Sequence, residues 1–164
     1  MSVTRRMFSM VLLAFIPVLV AGSAPAAIAA EATHASGSFI ANLSPVGSRS
    51  ADGNTIVTFT FVETFQGTIT GVRVGTGRLV IHPDGTITVR DTALFTGSIA
   101  GASGTAVLSA SVFGTFSSVT ANFVVTDGTG GLAGVHVEGT AVGGATGPGS
   151  FAGTYSGQVI ASGA

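Results

Sequence analysis

After residue 33 the chain alternates apolar and polar side chains almost without pause. Thr, Val, Phe and Ile abound, glycines punctuate, and no window carries an apolar repeat of 3.6 residues. Period-two alternation in β-branched and aromatic residues predicts strands throughout and no substantial helix. Eight strands are expected: Ala35 to Leu43, Thr55 to Phe65, Thr68 to His82, Thr86 to Ile99, Thr105 to Phe116, Val119 to Thr126, Ala133 to Val142 and Ser150 to Ala161.

The faces of these strands constrain the turns between them. In TIVTFTFVETF the odd positions Val57, Phe59, Phe61 and Phe65 are apolar, and in TITVRDTALFTGSI so are Ile87, Val89, Ala93, Phe95 and Ile99. The apolar row moves to even numbers at Ala106, Leu108, Ala110, Val112 and Phe116, then returns to odd at Val119, Ala121, Phe123 and Val125. A two-residue hairpin loop sets an odd position opposite an even one. Loops at Gln66-Gly67, Asp84-Gly85, Ala102-Ser103 and Ser117-Ser118 would therefore place Phe61 beside Val72, Val80 beside Val89, Gly97 beside Leu108 and Val112 beside Phe123. Eight strands with one apolar face and no helix to cover it need closure or a second layer. Closure also removes exposed edges, which favours an eight-stranded antiparallel up-and-down barrel over a sandwich.

The first 30 residues stand outside this pattern. They combine Arg5 and Arg6, an apolar run from Met10 to Ala21 and the small-residue triplet Ala27-Ile28-Ala29. That is the layout of a cleaved export signal, and the run is short for a bilayer span. Thr4-Arg5-Arg6-Met7-Phe8 resembles the twin-arginine motif, although paired arginines also occur in general secretory signals. Cleavage would leave residues 31–164 as a single domain, periplasmic or extracellular in a bacterium, with no stable membrane anchor.

That mature segment has no Cys, Lys, Met or Trp, and four Arg (Arg49, Arg73, Arg78, Arg90) face seven acidic residues. No basic stripe exists, so nucleic acid is not an expected partner. The three histidines, His34, His82 and His136, are scattered without metal-ligand spacing, and neither a metal nor a cofactor is expected.

Asp127-Gly128-Thr129-Gly130-Gly131 lacks the Lys-Ser/Thr of a phosphate loop and leads into a strand, so its glycines read as a bulged turn. DGTGGLAGVHVEGTA is similar to the glycine-rich segment of allene oxide cyclase and dirigent barrels. With GNTIVTFTF and GRLVIHPDGTITVRDTALFTGSIAGASGTAVL it resembles an uncharacterised bacterial family of small barrels in that superfamily, over roughly Gly37 to Gly157. The resemblance implies an eight-stranded barrel with a largely apolar interior, sometimes trimeric, whose enzymatic members fold a reactive apolar molecule before ring closure. Those members carry a functional glutamate in the barrel, but no motif aligns Glu63 with it.

Chemistry inside such a barrel falls to the polar residues on the apolar face. Asp91 interrupts its odd row, and the assumed Asp84-Gly85 turn sets Arg78 opposite it, as a rim ion pair or as an anchor for a carbonyl or carboxylate. Glu63 interrupts the Phe59, Phe61, Phe65 row, where burial would raise its pKa and suit a general acid or base, unless water reaches it near the Gln66-Gly67 turn. Tyr155, the only tyrosine, is a ligand donor or a core residue bonded to backbone. His82 sits beside the Pro83-Asp84-Gly85 turn at the rim. Arg78, Asp91 and His82 mark one end as the mouth, flanked by presumed long loops at Ser44 to Asn54 and Gly143 to Gly149, with Glu63 toward the other end. The ligand-binding set is thus Arg78, Asp91, His82, Tyr155, Phe59 and Phe61, and the catalytic candidates are Glu63, Asp91 and Tyr155.

Small inward residues (Ala93, Gly97, Ala106, Ala110, Gly114, Ala121) leave room for an apolar ligand. Outward Leu79, Ile81, Leu94 and Val124 suggest self-association as a dimer or trimer. Three uses stay open at this level: a cofactor-independent isomerase or cyclase, a non-catalytic carrier, and a structural barrel with a filled core.

Overall fold

The computed structural model describes residues 32–161; the export-signal reading of residues 1–30 lies outside them. Eight strands, β1 (Ala32–Ala51), β2 (Asn54–Gly67), β3 (Ile69–Ile81), β4 (Ile87–Ile99), β5 (Ala102–Thr115), β6 (Ser118–Gly130), β7 (Val135–Gly147) and β8 (Ser150–Ala161), follow one another around a closed antiparallel barrel. β8 pairs back to β1 from Ala32↔Ile160 to Asn42↔Ser150, so among the described residues every strand has a partner on both sides. The expected all-β, eight-stranded up-and-down barrel is the fold of the described chain.

The register differs from the expected one. Phe61 lies opposite Gly75, Leu79 opposite Val89, Gly97 opposite Gly104 and Val112 opposite Ala121. Between β2 and β6 only Ala100-Gly101 and the turn at Phe116-Ser117 change parity; Ala100 and Gly101 take φ of 50° and 88°, the backbone of a primed hairpin turn. Between β2 and β3 and between β3 and β4 the loops have odd length. His82 to Thr86 is closed by His82 N–H to Thr86 O at 2.9 Å and Gly85 N–H to His82 O at 3.0 Å. An odd loop keeps odd opposite odd, so the inward row of β3 is Ile69, Arg73, Gly75, Gly77 and Leu79. The more apolar even row, Val72 and Val74, faces out.

Glycine explains why the less apolar face of β3 wins. The interior beside β3 is filled by aromatic rings from its neighbours. A Cβ on Gly77 would lie 2.4 Å from Phe59 Cζ, and one on Gly71 would lie 3.0 Å from Phe95 Cε2. Only a strand without side chains at those positions can pass under the rings. Leu79 and Ile81, expected outside, therefore turn inward, and Leu79 is buried; of the outward set, Leu94 and Val124 remain exposed.

The presumed long loops are also strand. β1 runs to Ala51 and turns at Asp52-Gly53, with φ of 51° and 76°, after a register shift between Pro45 and Gly47. β7 runs to Gly147, with a shift between Ala145 and Gly147. Bulges of this kind correct parity while keeping the ladder closed. Asp127 takes φ 52° where β6 shifts against β5, and beyond it Leu132 turns into the barrel and is fully buried.

The interior is unevenly filled. Phe95, Ile69, Ile99, Leu108, Leu132, Val125 and Val137, each below 2% exposed, pack the end that holds the β2–β3, β4–β5 and β6–β7 turns. Toward the other end a smaller set, Phe59, Phe61, Leu79, Ile87, Ala93 and Val119, lines the wall instead. One end is plugged and the other is hollow.

Candidate functional site

The hollow is a cavity of about 110 Å³ lined by residues from all eight strands, among them Leu43, Phe59, Phe61, Leu79, Ala110 and Ala121. Above it a wider vestibule of about 390 Å³ shares Leu43, Phe59, Leu79 and Phe151 with the cavity and adds Pro45, Phe116 and Pro148. The opening lies at the end carrying the 52–53, 82–86, 116–117 and 148–149 turns. Ala93, Ala110 and Ala121 leave the space that larger residues fill lower down.

Three charged side chains meet inside. Glu63 and Arg73 are directly opposed on β2 and β3, and Arg73 reaches along β4 from its own partner Phe95 to Asp91. Arg73 Nε donates to Glu63 Oε2 at 2.7 Å, Nη2 reaches the same oxygen at 2.6 Å, and Nη1 donates to Asp91 Oδ1 at 2.6 Å. A longer contact of 3.5 Å joins Nη1 to the carbonyl of Leu108. The side chains of Glu63, Arg73 and Asp91 are 9%, 6% and 6% exposed. The guanidinium carbon lies over the Phe61 ring, 4.8 Å from its centroid, an arrangement that favours a desolvated cation.

Two carboxylates share one guanidinium, which fixes the electrostatics. Burial pushes the Glu63 carboxyl above the usual carboxylate range; Arg73 pulls it down and Asp91 pushes it up again. Burial likewise raises Asp91, against the pull of Arg73. A single cation cannot compensate two anions held away from water, so the upward direction follows from the charge count as well as from burial.

No buried side-chain polar atom among the described residues lacks a partner. The second oxygens, Glu63 Oε1 and Asp91 Oδ2, take no part in the contacts with Arg73, and both residues line the cavity. These oxygens are therefore open to the cavity.

Of the residues expected at the site, Glu63, Asp91, Tyr155, Phe59 and Phe61 line the cavity. Arg78 does not. It is exposed on the outer wall opposite Arg90, while Asp91 faces Gly77, because the odd β3–β4 loop reverses the side of β3 that faces in. Arg73 takes the inner place, and the sequence signal for it is the run Gly71-x-Arg73-x-Gly75-x-Gly77, a glycine face interrupted by one arginine. Glu63, expected away from Asp91 and within reach of water, is buried and joined to it through Arg73.

His82 stays at the rim, with Nδ1 2.8 Å from Asn54 Oδ1 and Nε2 3.4 Å from Thr88 Oγ1. It lines neither the cavity nor the vestibule. The Tyr155 hydroxyl accepts the Ile69 N–H at 2.8 Å and lies 3.1 Å and 3.2 Å from the carbonyls of Ile69 and Gln66. Burial raises its pKa. Its ring borders the cavity while its polar atom ties β8 to the β2–β3 turn.

No family model matches the chain, and no curated protein matches it. Among solved structures it is similar to the crystal structure of a protein of unknown function from the DUF3224 family of Shewanella oneidensis MR-1. That likeness has a TM-score of 0.66 at 19% sequence identity, over 82% of this chain and all of the other. At that identity the likeness is one of fold: a small, eight-stranded antiparallel β structure.

Proposed function

We propose that this chain is an exported, small-molecule-binding barrel of the allene oxide cyclase-like kind, which holds an apolar ligand between its open mouth and the Glu63–Arg73–Asp91 group. The single observation that carries the reading is the cavity itself. A barrel of eight strands is just filled by side chains or just holds one small ligand. This one is plugged at one end and hollow at the other, with apolar walls and a few convergent polar groups, the usual make-up of a ligand pocket. The export signal of residues 1–30 supports a periplasmic or extracellular setting. Apolar residues inside and a wall rich in Thr and Ser outside support contact with water, since a lipid-spanning barrel reverses that order.

A second reading, cofactor-independent isomerisation or cyclisation, is favoured by one feature. Glu63 combines an upward-shifted pKa with a free oxygen toward the cavity, which suits a general acid or base acting on a bound apolar substrate. The carrier reading needs no such step, and export argues for it, because reactive biosynthetic substrates are usually made inside the cell. Outward Val62, Val74 and Leu94, 46%, 56% and 57% exposed and side by side across β2, β3 and β4, support association of this wall with a second copy.

Fluorescence titration with the uncharged probe N-phenyl-1-naphthylamine tests the binding reading. The wild-type protein takes up the probe near one equivalent, and Ala121→Phe, which places a ring in the cavity, weakens uptake at least about tenfold. Equal uptake by the variant would place the probe elsewhere, and no uptake by either protein would mark the barrel as a filled structural element.

A further inference from the structure

The charges inside the barrel specify which end of a ligand they receive, an inference that rests on the binding reading above. Among the described residues Arg73 is the one cation lining the cavity, and each of its nitrogens already lies against a carboxylate oxygen. Nε donates to Glu63 Oε2, Nη2 lies 2.6 Å from the same oxygen, and Nη1 donates to Asp91 with a longer contact to the Leu108 carbonyl. Its guanidinium carbon sits over the Phe61 ring. The Tyr155 hydroxyl is taken up by the Ile69 and Gln66 backbone. The donors of the cavity are thus held against carboxylate or backbone oxygens. What the cavity does present is acceptor capacity at Glu63 Oε1 and Asp91 Oδ2, on a cluster with two carboxyl groups to one guanidinium. Aromatic rings at Phe59, Phe61, Phe65 and Phe123 form much of the surrounding wall.

We propose that the cavity is an anchor for an organic ammonium: a small apolar body, aliphatic or aromatic, whose protonated amine sits at the carboxyl oxygens of Glu63 and Asp91 that face the cavity. The ammonium supplies the second positive charge that the cluster lacks, and its N–H groups meet the two open acceptors. A carboxylate ligand meets the opposite situation, with repulsion from two carboxyl groups that already share the one guanidinium. This reverses the expectation that an arginine here would bind a carbonyl or carboxylate. A cavity of about 110 Å³ below a vestibule of about 390 Å³ accommodates an amine with one ring or a short chain, its body extending toward the mouth.

Three probes of the same shape isolate the head group: 2-phenylethylamine, 2-phenylethanol and phenylacetate, each titrated calorimetrically into the wild-type protein at pH 7. The amine is expected to bind about tenfold or more tighter than the alcohol, since charge-assisted hydrogen bonds are roughly twice as strong as neutral ones. Phenylacetate is expected to bind more weakly than the alcohol. Glu63→Gln and Asp91→Asn, each keeping side-chain shape, bring the amine-to-alcohol ratio toward one. Alcohol or phenylacetate binding as tightly as the amine overturns the ammonium assignment and leaves the binding barrel standing. So does failure of all three probes while N-phenyl-1-naphthylamine binds, because the pocket then takes ligands without its carboxyl groups. Failure of all four removes the binding reading and this inference together. The wild-type series decides the matter even if a variant fails to fold.

Discussion

Arg73→Met is expected to lower stability by about 3–5 kcal/mol, the usual cost of removing one partner from a buried ion pair. For a domain of this size that is a fall in melting temperature on the order of 10–20 °C, read by calorimetry at pH 7. The cause is desolvation. With Arg73 in place, Glu63 and Asp91 each keep one oxygen on a guanidinium nitrogen within 2.7 Å. With methionine there, two carboxyl groups are left facing one another's charge in an apolar wall. They must ionise without a counter-charge or take up protons.

Two controls separate this from a loss of packing. The deficit of Arg73→Met should shrink as pH falls, because protonation of Glu63 and Asp91 removes the unpaired charges. The triple change Glu63→Met, Arg73→Met, Asp91→Leu should recover most of the wild-type melting temperature or exceed it, since apolar replacement of a whole buried ionic group is often neutral or stabilising. If Arg73→Met melts with the wild type at pH 7, the three charges are solvated and do not form the buried cluster described above. A stable triple variant that no longer prefers 2-phenylethylamine would show the cluster to be kept for its ligand rather than for the fold.

Phe95→Ala is expected to cost about 3–5 kcal/mol, at the upper end for core truncations. Phe95 is fully buried and meets Phe65 edge to face, with ring centroids 6.2 Å apart at 76°. Its ring occupies the room left by two glycines: a Cβ on Gly71 would come within 3.0 Å of it and one on Gly97 within 2.8 Å. Neither glycine has a side chain that could swing into the space a truncated ring leaves. The backbone of a closed ladder cannot collapse into it either, so the void persists at the plugged end.

An apolar void of this kind stays dry and takes small apolar guests such as benzene. Saturating benzene should therefore raise the melting temperature of Phe95→Ala more than that of the wild type. A loss below about 1 kcal/mol, with no added response to benzene, would mean that the plugged end repacks freely and is not the rigid floor of the cavity.

The eight strands, their order and the closure of the sheet were legible because alternation is strict and no segment carries a helical period. Phe59, Phe61, Phe65, Phe95 and Phe123 all sit on the face the alternation assigns to the interior. Tyr155 was legible for the same reason. Register was not, and the reason lies in β3. There the hydrophobic count favours Val72 and Val74, but the rings of Phe59 and Phe95 leave space only for Gly71 and Gly77, so the face with fewer apolar atoms is the one that fits.

Pattern arguments weigh each strand alone, whereas this choice depends on the bulk of side chains on the neighbouring strands, Phe59 directly opposite Gly77 and Phe95 diagonal to Gly71. The consequence reached the site. Reading β3 on the wrong side exchanged Arg73 for Arg78 and separated Glu63 from Asp91, although both carboxyl groups had been singled out from their interruption of phenylalanine and valine rows. A glycine face broken by a single arginine is the local signal that would have found the cation.

The most direct measurement is a carbon-detected NMR titration of the Glu63 and Asp91 side-chain carboxyl groups in the wild-type protein. The expected result is that both midpoints lie above the ordinary values of 4.5 and 3.8, because burial outweighs the one shared guanidinium. The sign for stability follows. A carboxyl whose folded pKa is raised binds its proton more tightly in the folded state. Its contribution is fully present below the unfolded value and is lost as pH rises through the folded midpoint. Titration of both groups at or below 4.5 and 3.8 would mean that pairing with Arg73 outweighs burial, as it does where water reaches the carboxylates. It would contradict the central claim that two carboxyl groups and one arginine are held inside the barrel.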